Sequence, residues 1–235
     1  MKDFIAENST YVAVFAGFLL GIPAVRMSRE KGVAIPLYLD ALKCLAFSAF
    51  SVISVLLFAS MEGLIGGKGF HIGAVSTYGA YFFAPLFLLQ IFKKDRGLVF
   101  DDFAVYVPVS LLLQRIRCIV TGCCIGKTIG SSGMRWPVRE AEILFYALML
   151  ICLILYRRKG YIASKSKHIK TKGVMFPFLM ICYGCLRFLL EFLRDNGKAS
   201  LFHMAHIWSV LAVLTGLSIY IEIKRRFAPS NSNKR

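Results

Sequence analysis

The chain has 235 residues, 57% of them hydrophobic, and a mean hydropathy of +0.63. A water-soluble globular domain is typically about 45–50% apolar, so this excess, gathered in long runs, excludes a soluble fold. The net charge of +16 would suggest nucleic acid in a soluble protein, but the basic residues lie in short loops between apolar runs, so no nucleic-acid partner is expected.

The first nine residues carry Lys2 but also Asp3 and Glu7. They lack the basic start and small-residue cleavage site of a signal peptide, so the first apolar run is read as a retained helix. Apolar runs then predict helices over Ser9–Val25, Ala41–Ser60, Ile72–Phe92, Phe103–Val120, Ala141–Tyr156, Val174–Leu193 and Ser200–Ile223. Each is close to the roughly 20 residues that cross a hydrocarbon core. The expected fold is all-α, a polytopic membrane helical bundle of about seven transmembrane helices. It forms one unit over residues 1–227, followed by a polar disordered tail at 228–235.

The loops orient the bundle. Arg26, Arg29 and Lys31 follow the first run, and Lys93, Lys94 and Arg96 the third. A dense basic stretch from Arg157 to Lys172 follows the fifth, and Lys224, Arg225, Arg226, Lys234 and Arg235 close the chain. The other side holds only Lys2, Lys68, Lys127, Arg135, Arg139, Arg194 and Lys198. This bias puts the N-terminus outside and the C-terminus in the cytoplasm.

Charges inside a membrane helix cost roughly 2.5–3.5 kcal/mol each on the insertion scale and are kept for a reason. In this orientation they all crowd toward the outer face. Arg115 lies roughly 8 Å and Arg187 roughly 9 Å below the outer ends of their helices. Tyr183, Arg187, Glu191 and Arg194 fall at i, i+4, i+8 and i+11, a single helical stripe. Tyr78, Glu142 and His206 lie near the outer starts of three other helices. A structural ion pair between Arg187 and Glu191 would explain one helix. It would not explain Arg115 at matching depth on another, whereas a phospholipid phosphate facing both arginines would.

The segment YGCLRFLLEFLR, Tyr183 to Arg194, resembles the Y-G-x-x-R-F-x-x-E-F-x-R segment of the prolipoprotein diacylglyceryl transferases. The segment QRIRCIVTGCCIG, Gln114 to Gly126, is similar to that family's signature G-R-x-x-N-F-x-N-x-E-x-x-G at Arg115, Gly122 and Gly126. Its two asparagines and its glutamate are replaced here by Cys118, Thr121 and Cys123. PVREAE retains Pro137 and Glu142 of H-P-T-Q-L-Y-E, AHIWS retains Ile207 and Ser209 of G-Q-I-L-S, and Tyr78 stands in STYGA, which resembles the H-G-G-type segment.

The resemblance implies a multi-pass enzyme of the bacterial cytoplasmic (inner) membrane. Such an enzyme moves diacylglyceryl from phosphatidylglycerol to the lipobox cysteine of a lipoprotein precursor, without a cofactor. Those two molecules and the lipid bilayer are the partners it implies. On this reading Arg115 and Arg187 hold the phosphate, Glu191 orients Arg187, and Tyr183 donates to a lipid oxygen. Glu142 or His206 relays a proton, while Arg194, His206, Tyr78, Gly122 and Gly126 line the substrate site. The alternatives are a relative that acts on or binds another phospholipid, and a small-molecule transporter. A transporter's site belongs nearer the midplane.

Seven cysteines are present, mostly inside apolar runs, where a thiol packs as a small apolar group. Cys118, Cys123 and Cys124 have the spacing C-x4-C-C. Four metal ligands are not evident in it, so no metal is assigned. Gly122 and Gly126 instead suggest a tight turn at a helix end.

Overall fold

The computed structural model describes residues 2–29, 35–66, 76–93, 95–131, 133–162, 172–195 and 204–227. The tail at 228–235 lies outside them. Within the described residues the chain is all-helical, with two isolated bridges, Gly126 to Arg194 and Thr128 to Arg135, as the extended pairing.

Each apolar run is helical over most of its described residues. The helices are α1 (Lys2–Ser28), α2 (Leu37–Ile65), α3 (Tyr78–Phe82), α4 (Ala84–Ile91), α5 (Arg96–Thr121), α6 (Val138–Ile162), α7 (Met175–Glu191) and α8 (Met204–Phe227). The third run is broken into α3 and α4. Pro85, in the first turn of α4, has no N–H for the carbonyl four residues back, and its ring crowds that carbonyl. Among the described residues, four helices are long and apolar enough to cross a membrane: α1, α2, α5 and α8. Large apolar side chains such as Leu19, Leu45, Ile91, Leu148, Leu189 and Leu214 face outward on helix after helix. Apolar exposure on that scale suits lipid rather than water.

Small residues set the closest helix contacts. A Cβ on Gly184 of α7 would stand 2.7 Å from the Ser209 carbonyl oxygen of α8, and one on Gly216 would stand 2.9 Å from the Pro177 carbonyl oxygen. Small residues at such crossings are how membrane helices gain dispersion contact without a hydrophobic drive. Gly79 lies so tightly on α2 that its Cβ would overlap the Ser54 carbonyl. Between these pairs lies an aromatic core that includes Phe47, Phe58, Phe103, Tyr81 and Phe176.

The buried charges do not all lie at one end, as the sequence reading held. Both α2 and α5 begin earlier than their apolar runs, at Leu37 and Arg96. Asp40, Asp101 and Asp102 are thereby carried into the packed bundle. Arg29 contacts both Asp40 and Asp102, the latter at 2.6 Å. Arg157 of α6 lies 2.8 Å from Asp102, Lys43 is at 3.4 Å, and Arg26 is 3.0 Å from Asp40. Asp101 accepts the backbone N–H groups of Gly173 and Met175. Hydropathy placed these residues at loop margins. Mutual pairing is what makes their burial affordable.

Candidate active site

At the opposite end of α5, Arg115 is 5% exposed, and Glu142 of α6 is fully buried. Arg115 Nε stands 2.7 Å from Glu142 Oε2, although its N–H is poorly aligned for a hydrogen bond. The other carboxylate oxygen, Oε1, accepts a hydrogen bond from Arg187 Nη1 of α7 at 2.8 Å. Arg187 Nη2 donates to Glu191 Oε2, also at 2.8 Å. Arg194 Nη1 completes the row, 3.9 Å from that same oxygen. One carboxylate thus ties together guanidinium groups from two helices, and the chain of charges runs through α5, α6 and α7.

The stripe on α7 is real for its first three members. Tyr183, Arg187 and Glu191 are all buried on one face. Arg194 departs from the expected i+11 position, because α7 stops at Glu191 and the backbone closes in tighter turns, Leu193 N–H to Leu190 O and Arg194 N–H to Glu191 O. Arg194 is then held by the loop after α5. Lys127 N–H donates to Leu193 O and Asp195 N–H to Ile125 O, while Arg135 reaches both Gly126 O and Asp195.

Tyr183 packs its ring on Tyr81, centroids 4.2 Å apart, and meets Tyr78 edge-on at 5.8 Å. Its buried hydroxyl has no hydrogen-bond partner among the described residues. Tyr78 instead hydrogen-bonds to Ser209 Oγ and donates to Ala205 O of α8. His206 is buried in α8 between the rings of Phe188 and Phe192, at 5.2 and 4.5 Å.

The glycines act on the backbone. Gly122 ends α5 in the left-handed conformation at φ 69°, with its own N–H on Ile119 O and that of Cys123 on Cys118 O. That is the glycine stop of a helix, for which a Cβ is costly. Gly126 lies so close to Trp136 that a Cβ would overlap that residue's carbonyl oxygen.

The cysteines that the sequence weighs as a metal or redox site, and sets aside for their spacing, do come together. The turn at Gly122 folds Cys123 and Cys124 back toward Cys118, and all three sulfurs lie within 4.8 Å of one another. Arg115 Nη1 is 3.9 Å from the Cys118 sulfur and 3.8 Å from that of Cys124. Donation by the Cys118 thiol first, then the Arg194 and Arg115 charges, lower the Cys124 thiol below the usual range. Spacing alone does not reveal this, since it depends on the left-handed turn.

The family model for prolipoprotein diacylglyceryl transferase matches residues 11–222, most of the chain. The chain belongs to that family. Its relatives include the phosphatidylglycerol–prolipoprotein diacylglyceryl transferase 2 of Clostridium perfringens, 28% identical over 164 residues, or 66% of this chain and 62% of the relative. The phosphatidylglycerol–prolipoprotein diacylglyceryl transferase of Rickettsia bellii is 27% identical over 173 residues, covering 68% and 62%. That of Clostridium tetani is 28% identical over 173 residues, covering 66% and 64%. The matched stretch therefore spans less than two thirds of the length of these curated relatives.

Proposed function

We propose that this member of the family transfers diacylglyceryl from phosphatidylglycerol to the cysteine thiol of a lipoprotein precursor, at the outer leaflet of a bacterial cytoplasmic membrane. The observation that carries the reading is the joining of Arg115 and Arg187 through one buried carboxylate. Three guanidinium groups, with Arg194, face two carboxylates, Glu142 and Glu191.

In this reaction the lipobox thiolate attacks the glycerol carbon that bears the phosphate ester. The carbon–sulfur bond forms, the carbon–oxygen bond breaks, and glycerol phosphate departs with the electron pair. Charge builds on the leaving phosphate, and fixed guanidinium groups stabilise it without reorganising. Arg115 Nη1 meets the Cys118 and Cys124 sulfurs only at 3.9 and 3.8 Å, and the oxygens of a phosphate match its planar fork better. The partnerless Tyr183 hydroxyl suits a lipid oxygen. Glu142, engaged by two guanidinium groups, is assigned to holding them rather than to carrying a proton. His206 is the remaining candidate for the thiol's proton. Gly122 and Gly126 serve the substrate by shaping the loop, and Tyr78 of α3, tied to α8, by packing against Tyr183.

The reading includes about seven crossings in one unit over residues 1–227, with the N-terminus outside and the C-terminus in the cytoplasm. The chain's basic end at Lys224, Arg225 and Arg226 of α8 supports that orientation.

The test is lipidation of a lipobox precursor in a strain depleted of its own transferase, and by the purified chain in phosphatidylglycerol vesicles. Wild type should lipidate both ways. Arg115→Lys and Arg187→Lys keep the charge but lose the fork, and should lower the vesicle rate on the order of 100-fold. A correctly inserted wild-type chain that lipidates nothing would sink the proposal.

A further inference from the structure

Three thiols stand at the edge of the arginine–carboxylate chain, at positions where the family signature carries other groups or none. Cys118, Cys123 and Cys124 are all free; Cys118 is buried, Cys124 half-buried and Cys123 exposed. Their sulfurs lie within 4.8 Å of one another, with Cys118 and Cys124 4.0 Å apart. Two backbone features bring them together. Gly122 stops α5 in the left-handed conformation, and Cys124 adopts φ 58°, where a residue with a Cβ is seldom found. Arg139 Nη1 reaches the Cys118 carbonyl oxygen at 3.4 Å and that of Cys123 at 3.5 Å, bracing the backbone of two of the three.

The spacing has a chemical meaning. A zinc–thiolate bond is about 2.3 Å long, so thiolates around one tetrahedral ion sit roughly 3.8 Å apart. Small side-chain rotations close the observed distances to that value. We propose that Cys118, Cys123 and Cys124 form a three-thiolate site for one soft cation of the zinc class, with its fourth position open on the exposed side at Cys123.

The surroundings suit such an ion. Three thiolates around a divalent cation leave one net negative charge. Arg115, with its Nη1 near two of the sulfurs, offsets it. Such N–H groups around ligand atoms are the usual support of a metal site. The two readings share Arg115, but metal binding by the thiols is measured directly, whether or not the chain transfers lipid.

The test uses the full chain, purified in detergent and kept reduced, titrated with Cd2+ while thiolate-to-metal charge transfer is followed in the ultraviolet. One Cd2+ per chain is expected, displaced by Zn2+. Cys123→Ser, at an exposed side chain that the core does not need, should weaken binding by at least about 10-fold, the loss seen even for supporting residues. Cys124→Ser should do the same, while Cys152→Ser on the exposed face of α6 should leave it unchanged. No charge-transfer band from the reduced chain would overturn the proposal. So would an undiminished band in the Cys123→Ser, Cys124→Ser double variant.

Discussion

Replacing Glu142 by glutamine removes the charge that both Arg115 and Arg187 contact. Arg187 keeps Glu191, but Arg115 is left buried without its carboxylate. Breaking a buried pair in this way costs about 3–5 kcal/mol, so E142Q should show a clearly lowered thermal midpoint in detergent. A midpoint equal to wild type would mean that the bridge does not hold the two helices. Tyr183→Phe should behave in the opposite manner. Its hydroxyl has no hydrogen-bond partner among the described residues, and an unsatisfied buried polar group costs about 1–3 kcal/mol. Stability should be unchanged or slightly raised, while the lipidation rate in vesicles falls by about 10-fold, as for a lost hydrogen bond to a charged or reacting group. Parallel loss of stability and rate would place the hydroxyl in the fold instead of at the lipid.

Among the elements, α7 and α8 are the most extensively packed pair, and Gly184 is where they touch. A Cβ there meets both the Ser209 carbonyl oxygen and the Val213 side chain, at 2.7 and 2.8 Å. Gly184→Val should therefore force the helices apart at about 1–3 kcal/mol, the usual cost of overpacking. Because Tyr183 and Arg187 flank that contact on α7, the lipidation rate of the folded fraction should fall too. Rate measured per folded molecule, with folding followed by thermal melts, separates the two effects. The helix at Tyr183–Glu191 was legible in the sequence because three polar residues at four-residue spacing in an apolar run can share only one face. The break between α3 and α4 was not singled out, although Pro85 was there to mark it.

At the scale of the whole molecule, two ionic clusters stand at opposite ends of α5. Asp102 and Arg115 are thirteen positions apart, about 20 Å along a helix. Asp102 joins α1, α2, α5 and α6 through Arg29, Lys43 and Arg157. Asp102→Asn should thus cost about 3–5 kcal/mol of stability. Sites so far apart with no shared partners usually act additively, so the lipidation rate per folded molecule should stay at the wild-type level. A rate that falls with the folded amount held equal would show that the two ends are coupled. This second cluster was hidden in the sequence because its members sit at the margins of apolar runs, where a charge is ordinary.

The helical membrane architecture, and Arg115, Arg187, Glu191 and Tyr183 as residues of interest, followed from the sequence alone. Uninterrupted apolar runs in lipid leave the backbone no choice but the helix, and a charge within such a run is costly enough to stand out. Only the tertiary structure decided that Glu142 is the link between the arginines, that His206 sits between two phenylalanine rings, and that three cysteines converge. Those relations depend on how helices far apart in the chain pack and on a left-handed turn at Gly122. Neither leaves a periodic trace in the order of residues.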